Sequence, residues 1–474
     1  MTSFVRELGL HYFSESHSTR DVVLLLFSRY VRMIGFGVVA PVLILYLRAL
    51  DVSERLVGLF LSLTLLGDVL LSLGVTWTAD HIGRRRMLAL GSILMGGAGL
   101  VFCLSSSYVY LLLAAVIGII SRMSSKLVLV LDDPMLKLAC SASGNEIGPF
   151  SALEQSMLSQ LTTPQGRVSL LVWYQVLGFL GVATGNGLAG VIVSTLERHG
   201  KSTVEAYRAV FVTYSVVAAI KLVLSFSLTT HTEVEHPPVA DSRSDTSIRA
   251  GSERQPLLRD QQTPEATRSV EASLLDPPEL PAPPPGLPIG RLVALAAIFS
   301  LDSFASSLIP LSFISYYFKK DFGATVETIT RTFSTTAIIS CISHLFAYQI
   351  SKRAGIIGTM VGTHMPAQLL TMSLAFAPSL PAVLGIFIAR SCIASMDASV
   401  RGAFLSAVVP QASRTRFLGI INVCKTLASA PGPTLSGQLA SSGNLRFSFV
   451  ITASIKLFYD VCLWFGFRYA KLEH

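Results

Sequence analysis

Long apolar runs separated by short polar turns make up most of this chain. A helix of about 20 apolar residues crosses the hydrocarbon core of a bilayer. Six predicted spans precede a long polar stretch, at 22–47, 54–77, 86–105, 109–130, 168–195 and 206–230. Six more follow it, at 290–318, 326–350, 355–377, 380–407, 416–440 and 446–469. The pattern predicts an all-α integral membrane protein with twelve transmembrane helices in two groups of six.

The polar stretch divides the chain into segments. We expect a cytoplasmic N-terminal segment at 1–21, a six-helix half at 22–230 and a second six-helix half at 289–474. Residues 231–288 between them are rich in Pro, Ser and charged residues, which predicts a disordered cytoplasmic linker. The first 21 residues are polar and carry no cleavable signal, so the first helix is expected to insert uncleaved.

The two predicted halves carry matching loop and glycine patterns. Pro-Gln-Gly-Arg at 164–167 introduces the fifth span, and Pro-Gln-Ala-Ser-Arg at 410–414 introduces the eleventh. Within those spans, Gly-Asn-Gly-Leu-Ala-Gly at 185–190 corresponds to Gly-Pro-Thr-Leu-Ser-Gly at 432–437. Internal repeats are common in transporter folds. The pattern therefore indicates two pseudo-symmetric copies of one unit.

The region around the predicted fourth span is too long for one crossing and a loop. Joining Ile120 directly to Ser141 would give a helix of ordinary length, so we interpret residues 121–140 as an insertion, such as an unspliced intron carried into the sequence. The alternative is a fourth span that is broken or re-entrant, which would bring transport itself into doubt.

Composition excludes a soluble globular protein. Hydrophobic residues make up 51% of the 474 residues and charged residues only 14%. The net charge of +8 arises from basic residues in short loops, such as 84–86 and 414–416, as the positive-inside rule describes, and predicts no nucleic-acid partner. The six cysteines have neither metal-ligand spacing nor a disulfide framework, and the histidines, including His344 and His364, are isolated. We expect no metal and no cofactor.

One charged turn carries a recognisable motif. Between the second and third spans the chain reads Thr-Trp-Thr-Ala-Asp-His-Ile-Gly-Arg-Arg at 76–85. This resembles the signature Gly-x-x-x-Asp-(Arg/Lys)-x-Gly-(Arg/Lys)-(Arg/Lys) of the major facilitator superfamily of transporters, from which Thr76 and His81 depart. The alternative is an ordinary positive loop of another membrane protein.

The resemblance implies the superfamily's fold, with both termini and the middle loop cytoplasmic. It also implies a gate in which the signature aspartate lies against the N-terminus of the eleventh helix, where the helix dipole favours a carboxylate. The gating residues would be Asp80, Gly83, Arg84 and Arg85.

Ionisable residues inside the predicted spans are costly unless paired or hydrated, so each is a candidate for function. The candidates for a proton or substrate pathway are Arg32, Asp68, Glu146, Glu154, Asp302, Arg390 and Asp397. The resemblance places the first, fourth, seventh and tenth helices around a central cavity. Five of these residues are expected to lie on those helices well inside the bilayer, namely Arg32, Glu146, Asp302, Arg390 and Asp397. The alternative is static pairing, Arg32 with Glu146 or Asp302 with Arg390. Arg29, Arg401 and Lys425 are expected to extend to the interface.

The fifth span carries a second motif. Its Gly181, Gly185, Asn186, Ala189 and Gly190 resemble the antiporter signature Gly-x-x-x-Gly-Pro-x-x-Gly-Gly. The alternative is close packing of helices through small residues. The eleventh span carries a similar pattern, in which Gly432, Pro433 and Gly437 are also predicted to pack against neighbouring helices.

The favoured function is a secondary active transporter that moves a small organic solute by alternating access, with proton-coupled efflux as the first choice. The expected partners are the solute, protons and the lipid bilayer, and the chain is expected to be a monomer. Uptake or a vacuolar carrier is the runner-up. The linker's Glu253 with Leu257 and Leu258 resembles a dileucine sorting signal for the vacuole, whereas the plasma membrane is the first choice.

A non-transporting sensor or scaffold with the same fold remains open because of the disrupted fourth span. An intramembrane enzyme is not expected, since the chain contains no Gly-x-Ser-x-Gly and no histidine-box metal motif.

Overall fold

The computed structural model describes residues 18–118, 149–162, 167–233, 289–396, 401, 404 and 414–467. All regular elements in these ranges are helices. The described parts of Met1–Val234 and Leu287–His474 belong to one compact unit. We call the helices on either side of the intervening segment the N-terminal group and the C-terminal group.

The N-terminal group contains eight helices in the described residues. They are α1 (Thr19–Val39), α2 (Leu43–Ala49), α3 (Glu54–Ile82), α4 (Arg84–Leu104), α5 (Tyr108–Gly118), α6 (Pro149–Gln160), α7 (Arg167–Arg198) and α8 (Thr203–Ser227). A short 3-10 turn, Thr230–Thr232, follows.

The C-terminal group also contains eight α-helices in the described residues. They are α9 (Ile289–Leu308), α10 (Leu311–Phe322), α11 (Val326–Ala354), α12 (Ile356–Ser373), α13 (Leu380–Ala394), α14 (Arg414–Ser429), α15 (Gly432–Ser441) and α16 (Phe447–Phe467). A 3-10 turn, Leu374–Phe376, connects α12 to α13.

Helix breaks follow prolines at matching places in the two groups. The predicted first span divides into α1 and α2 around Pro41, and the predicted seventh divides into α9 and α10 around Pro310. Proline has no N–H to donate to the preceding turn, so the helical ladder stops there. The eleventh span divides in the same way at Pro431, between α14 and α15.

Two glycine turns also occupy matching places. Gly83 separates α3 from α4 with a φ of 99°, and Gly355 separates α11 from α12 with a φ of 72°. A positive φ is strained for residues with a side chain, so glycine is the residue that allows each short reversal.

The predicted fourth span is described in two pieces. Within the described ranges, helices α5 and α6 have 11 and 12 residues, and residues 119–148 between them lie outside those ranges. Both pack against α3 and α4. The suspected insertion at 121–140 lies outside the described residues, so its origin stays a prediction.

Six of the described helical stretches are long and apolar enough to cross a membrane. They are Thr19–Ala49, Arg84–Leu104, Leu170–Arg198, Thr203–Ser227, Val293–Phe322 and Phe447–Gly466. Large apolar side chains on these helices are exposed to the surroundings, for example Val191 at 62% and Phe226 at 64%. An outer surface of this kind fits a hydrocarbon environment and not water.

Small residues allow the helices to approach closely. On α7, a Cβ added at Gly185 would overlap the carbonyl oxygen of Ile34 on α1, and one added at Gly181 would lie 2.5 Å from the carbonyl oxygen of Tyr30. On α3, a Cβ at Gly58 would lie 2.5 Å from the carbonyl oxygen of Pro433. Backbone atoms cannot rotate away, so these glycines set the distance between the helices.

Replacing Gly185 by alanine is therefore expected to lower the free energy of unfolding by about 1–3 kcal/mol, because α1 and α7 must move apart. Thermal unfolding of the purified full chain in detergent would measure this. Gly97→Ala on α4 is the matched control, since nothing lies within 4 Å of a Cβ added there. Equal midpoints for the two variants would contradict the packing role.

The two groups are joined by polar contacts at one end of the molecule, which we call the closed end. Glu54 on α3 accepts hydrogen bonds from the Tyr316 hydroxyl at 2.6 Å and from Lys320 at 3.2 Å. Arg198 at the end of α7 pairs with Glu327 on α11 at 3.0 Å. The opposite end carries Gly83–Arg86 and is called the basic end. Positive residues mark the cytoplasmic side, so we expect the closed end to face away from the cytoplasm.

Candidate functional site

A cavity of 390 Å³ lies between the two groups of helices. Among the described residues, the N-terminal wall is almost entirely apolar and includes Phe36, Leu61 and Phe179, with Asn186 as a polar exception. Its C-terminal wall carries the charged side chains, from α9, α14, α16 and their neighbours. The site is therefore asymmetric in polarity across the boundary between the groups.

Asp302 on α9 forms the centre of the charged wall. One carboxylate oxygen accepts a hydrogen bond from Nη1 of Arg401 at 2.6 Å, and the other accepts one from Nζ of Lys456 at 2.9 Å. The Asp302 side chain is buried, with only 2% of the residue exposed. A buried carboxylate in such a position requires cationic partners, and two are supplied.

A histidine lies directly behind this carboxylate. Nδ1 of His364 on α12 is 2.8 Å from an Asp460 carboxylate oxygen, and Nε2 is 4.0 Å from Asp302 and 3.1 Å from the amide nitrogen of Gln368. The ring thus lies between two carboxylates. We call Asp302, His364, Arg401, Lys456 and Asp460 the Asp302 cluster.

Helical spacing explains part of this arrangement. Lys456 and Asp460 are one turn apart on α16, and His364 and Gln368 are one turn apart on α12, so each pair shares a face of its helix. Sequence reasoning missed His364, Lys456 and Asp460. Two ionisable residues one turn apart within the apolar stretch Phe447–Phe467 were the available signal.

A second charged cluster lies within the N-terminal group. Nη2 of Arg32 donates to Glu154 at 2.8 Å and to the Tyr174 hydroxyl at 3.0 Å, and that hydroxyl donates to Glu154 at 2.7 Å. Nζ of Lys221 is 3.8 Å from Glu154, and the Arg29 guanidinium lies 4.5 Å from the centre of the Tyr174 ring. We call these five residues the Glu154 cluster.

The structure separates the predicted pathway residues. Asp302 and Arg390 line the cavity, whereas Arg32, Asp68 and Glu154 do not. This differs from the expected common pathway, because sequence position gives the depth of a residue in the bilayer and not the direction in which its side chain points. Glu146 and Asp397 lie outside the described residues.

Asp68 has surroundings unlike those of the other carboxylates. It is buried on α3, with 1% of the residue exposed, and neither carboxylate oxygen has a hydrogen-bond partner in the described part of the chain. Groups of this kind are costly in a protein interior.

One expected pairing also differs. Asp302 pairs with Arg401 and Lys456 and not with Arg390, whose Nε donates instead to the Thr371 hydroxyl at 2.8 Å. Arg32 pairs with Glu154, and its predicted pairing with Glu146 lies outside the described residues.

Three basic residues expected to extend to the interface do not do so. Arg29, Arg401 and Lys425 are 0%, 9% and 9% exposed, so that expectation was wrong. Arg401 is held inside by Asp302, while Arg29 stacks on the Tyr174 ring.

The signature turn contacts its own group of helices. The Glu233 carboxylate accepts hydrogen bonds from the backbone N–H of Arg84 at 2.7 Å and of Arg85 at 3.2 Å, at the N-terminus of α4. The Arg84 guanidinium donates to Gln160 on α6 at 2.8 Å. The contact with the eleventh helix was predicted for Asp80 and stays a prediction. The Asp80 side chain lies outside the described residues.

The predicted packing residues all lie where helices approach each other. Gly181 and Gly185 contact α1, Gly190 contacts Thr330 on α11, and Gly432 contacts Ser307 on α9. Gly437 and Pro433 contact α3 at Gly58. In the described residues no group of three or more His, Cys, Asp or Glu side chains could hold a metal ion.

Comparison with solved structures shows the same fold. The xylose transporter XylE from E. coli in its inward open conformation matches with a TM-score of 0.64 and 14% identity, over 94% of this chain and 95% of that one. A bacterial homologue of the human lysosomal transporter Spinster, inward-facing and unoccupied, matches with a TM-score of 0.62 and 15% identity, over 95% and 97% of the two chains.

Sequence comparison gives the family. The uncharacterized membrane protein YJR124C of Saccharomyces cerevisiae is 28% identical over 458 residues, which cover 95% of each chain. The family model of the Major Facilitator Superfamily matches residues 142–396 and 295–473, which together exceed half of the chain. The predicted all-α fold and the family resemblance are thereby confirmed. The chain belongs to the major facilitator superfamily and is a secondary membrane transporter, not an enzyme.

Proposed function

We propose that this transporter moves a small organic solute by alternating access and couples that movement to protons through the Asp302 cluster. The observation that carries the proposal is the position of Asp302. Its carboxylate lines the cavity, is paired with two cations and lies 4.0 Å from a histidine that is itself bonded to a second carboxylate.

Proton uptake by this cluster would change its pairing. Protonation of Asp302 removes the charge that holds Arg401 and Lys456, which come from two different parts of the C-terminal group. A proton on His364 would instead strengthen its attraction to Asp460 and Asp302. Either step changes the interactions that hold α9, α12 and α16 together, and a ligand or proton shifts a conformational equilibrium by such differential contacts.

The closed end supplies the element that must open. Its contacts are polar and partly exposed, as in the Arg198–Glu327 pair with side-chain exposures of 70% and 27%. Exposed ion pairs of this kind contribute about 0–1 kcal/mol each. They can therefore break and form during a transport cycle. With the closed end shut, we expect solute to enter the cavity from the basic end.

The gating role of Asp80, Gly83, Arg84 and Arg85 stays part of the proposal, with Glu233 as the partner of the turn in this state. The proposal of export by antiport rests on the fifth-span signature. The glycines of that signature pack against neighbouring helices, and this role does not depend on the direction of transport. Efflux from a monomer in the plasma membrane therefore remains our prediction, with uptake and the vacuolar membrane as alternatives.

Proteoliposomes that contain the full chain and enclose a pH-sensitive dye would test proton coupling. External solutes are added one at a time, and the internal pH is followed against protein-free liposomes. We expect at least one solute to change the internal pH, and an imposed pH gradient to drive its accumulation. Solute exchange that neither moves protons nor responds to the gradient would contradict proton coupling.

A further inference from the structure

The charges around the cavity are strongly one-sided. In the described residues, four basic side chains line it, Arg390, Arg401, Lys425 and Lys456, against one carboxylate, Asp302. The excess is three positive charges, and Asp460 behind the wall reduces it to two. Buried charge of one sign in a low-dielectric site attracts a ligand of the opposite sign.

We infer that the cavity binds an organic anion, with its acidic group against the C-terminal group and its apolar part against the N-terminal group. This inference rests on the proposed transport function and names the solute class for the same cavity. The carboxylate, sulfonate or phosphate of the solute would complete the charge balance of the wall.

Arg390 is the side chain best placed to hold the acidic group. It lines the cavity, and its recorded partner in the described residues is the Thr371 hydroxyl, with no carboxylate at ion-pair distance. Arg401 and Lys456 are already engaged by Asp302. A guanidinium is planar and binds carboxylate, sulfonate or phosphate oxygens in a bidentate manner.

The opposite wall determines the rest of the solute. Phe36, Leu61, Leu65 and Phe179 present apolar surface, which favours an aromatic or alkyl body. Among them Asn186 is 1% exposed, and neither its side-chain oxygen nor its nitrogen has a hydrogen-bond partner in the described part of the chain. A buried unpaired amide is costly, so a polar substituent on the solute that pairs with it would be favoured.

The cavity volume of about 390 Å³ lies in the range of small-molecule sites. A cationic solute of the same size would meet an excess of positive charge. A neutral solute would leave the Arg390 guanidinium without a counter-ion.

Binding of charge-matched probes to the purified full chain in nanodiscs would test the inference. The probes are naphthalene-2-sulfonate, the neutral naphthalene-2-sulfonamide and the cation 2-naphthyltrimethylammonium, with octanoate and 2-naphthyl phosphate as further anions. Binding is followed by ligand-dependent thermal stabilisation. We expect at least one of the three anions to bind about tenfold or more tightly than the neutral and cationic probes.

Variants of Arg390 make the test site-specific. Arg390→Gln is expected to weaken anion binding about tenfold or more, and Arg390→Lys to have a smaller effect, because lysine keeps the charge but loses the bidentate geometry. Among the described carboxylates none loses a partner when Arg390 is replaced, so the variants are expected to fold. Arg331→Gln is the control, since that side chain is 77% exposed on α11.

Three results would each overturn the inference. The first is equal or tighter binding of the neutral or cationic probe, and the second is unchanged anion binding in Arg390→Gln. The third is no stabilisation by any of the anions at millimolar concentration. Because these measurements need no gradient, they are distinct from the proton-coupling test. Anion binding without proton movement would support the anionic solute class and contradict proton coupling. Proton-driven movement of neutral or cationic solutes alone would support proton coupling and contradict the anionic solute class.

Discussion

Replacing Asp302 by asparagine is expected to lower gradient-driven transport at least about tenfold. Typical coupling free energies of about 1–3 kcal/mol correspond to effects of about 5–150-fold. Asparagine preserves the shape of the side chain but cannot exchange a proton at neutral pH, and it leaves Arg401 and Lys456 without their carboxylate. The measurement is accumulation of a solute that moves protons in wild-type proteoliposomes, with and without an imposed pH gradient.

Solute exchange at equal pH separates coupling from loss of fold. A residue that only carries the proton is not needed when solute exchanges for solute, so we expect exchange to persist in Asp302→Asn. The matched control is Asp321→Asn at the exposed end of α10, which should keep gradient-driven transport. Full gradient response in Asp302→Asn would remove this residue from the coupling mechanism.

Glu154→Gln is expected to lower the free energy of unfolding by about 3–5 kcal/mol, the usual cost of removing one partner of a buried ion pair. Glu154 is fully buried, and its carboxylate compensates Arg32 at 2.8 Å and Lys221 at 3.8 Å. Without it, those cations and Arg29 remain together in the interior. Thermal unfolding of the purified full chain would show the loss.

The remaining members of the Glu154 cluster provide a second measurement. Lys221→Met removes one of the cations that Glu154→Gln leaves unpaired. The double variant is therefore expected to lose less free energy of unfolding than the sum of the losses in the two single variants. Glu197→Gln on the exposed end of α7 is the control and should behave as wild type. A Glu154→Gln midpoint equal to that of the control would mean that the cluster does not hold the N-terminal group together.

Several of the helices could be predicted because an apolar run is a local property of composition. The runs at 168–195 and 206–230 correspond to α7 and α8, and the apolar run at 446–469 corresponds to α16. The paired turns at Gly83 and Gly355 also follow from local chemistry, since a helix reversal that short uses glycine at positive φ. Asp302 and Arg390 could be singled out because charge is rare at bilayer depth.

Partner choice could not be predicted in the same way. Asp302 bonds Arg401, 99 residues away, and Lys456, 154 residues away, and His364 bonds Asp460, 96 residues away. In a membrane protein the lipid-facing and protein-facing sides of a helix are both apolar, so the pattern does not fix the rotation of the helix about its axis. The chain's amino-acid order thus indicated which runs are apolar enough to cross a bilayer and which charges lie within them. Packing of the helices determined which of those charges face the cavity and which neutralise each other. The reason is that the direction of a side chain depends on the rotation of its helix about the helix axis, and only contact between helices fixes that rotation.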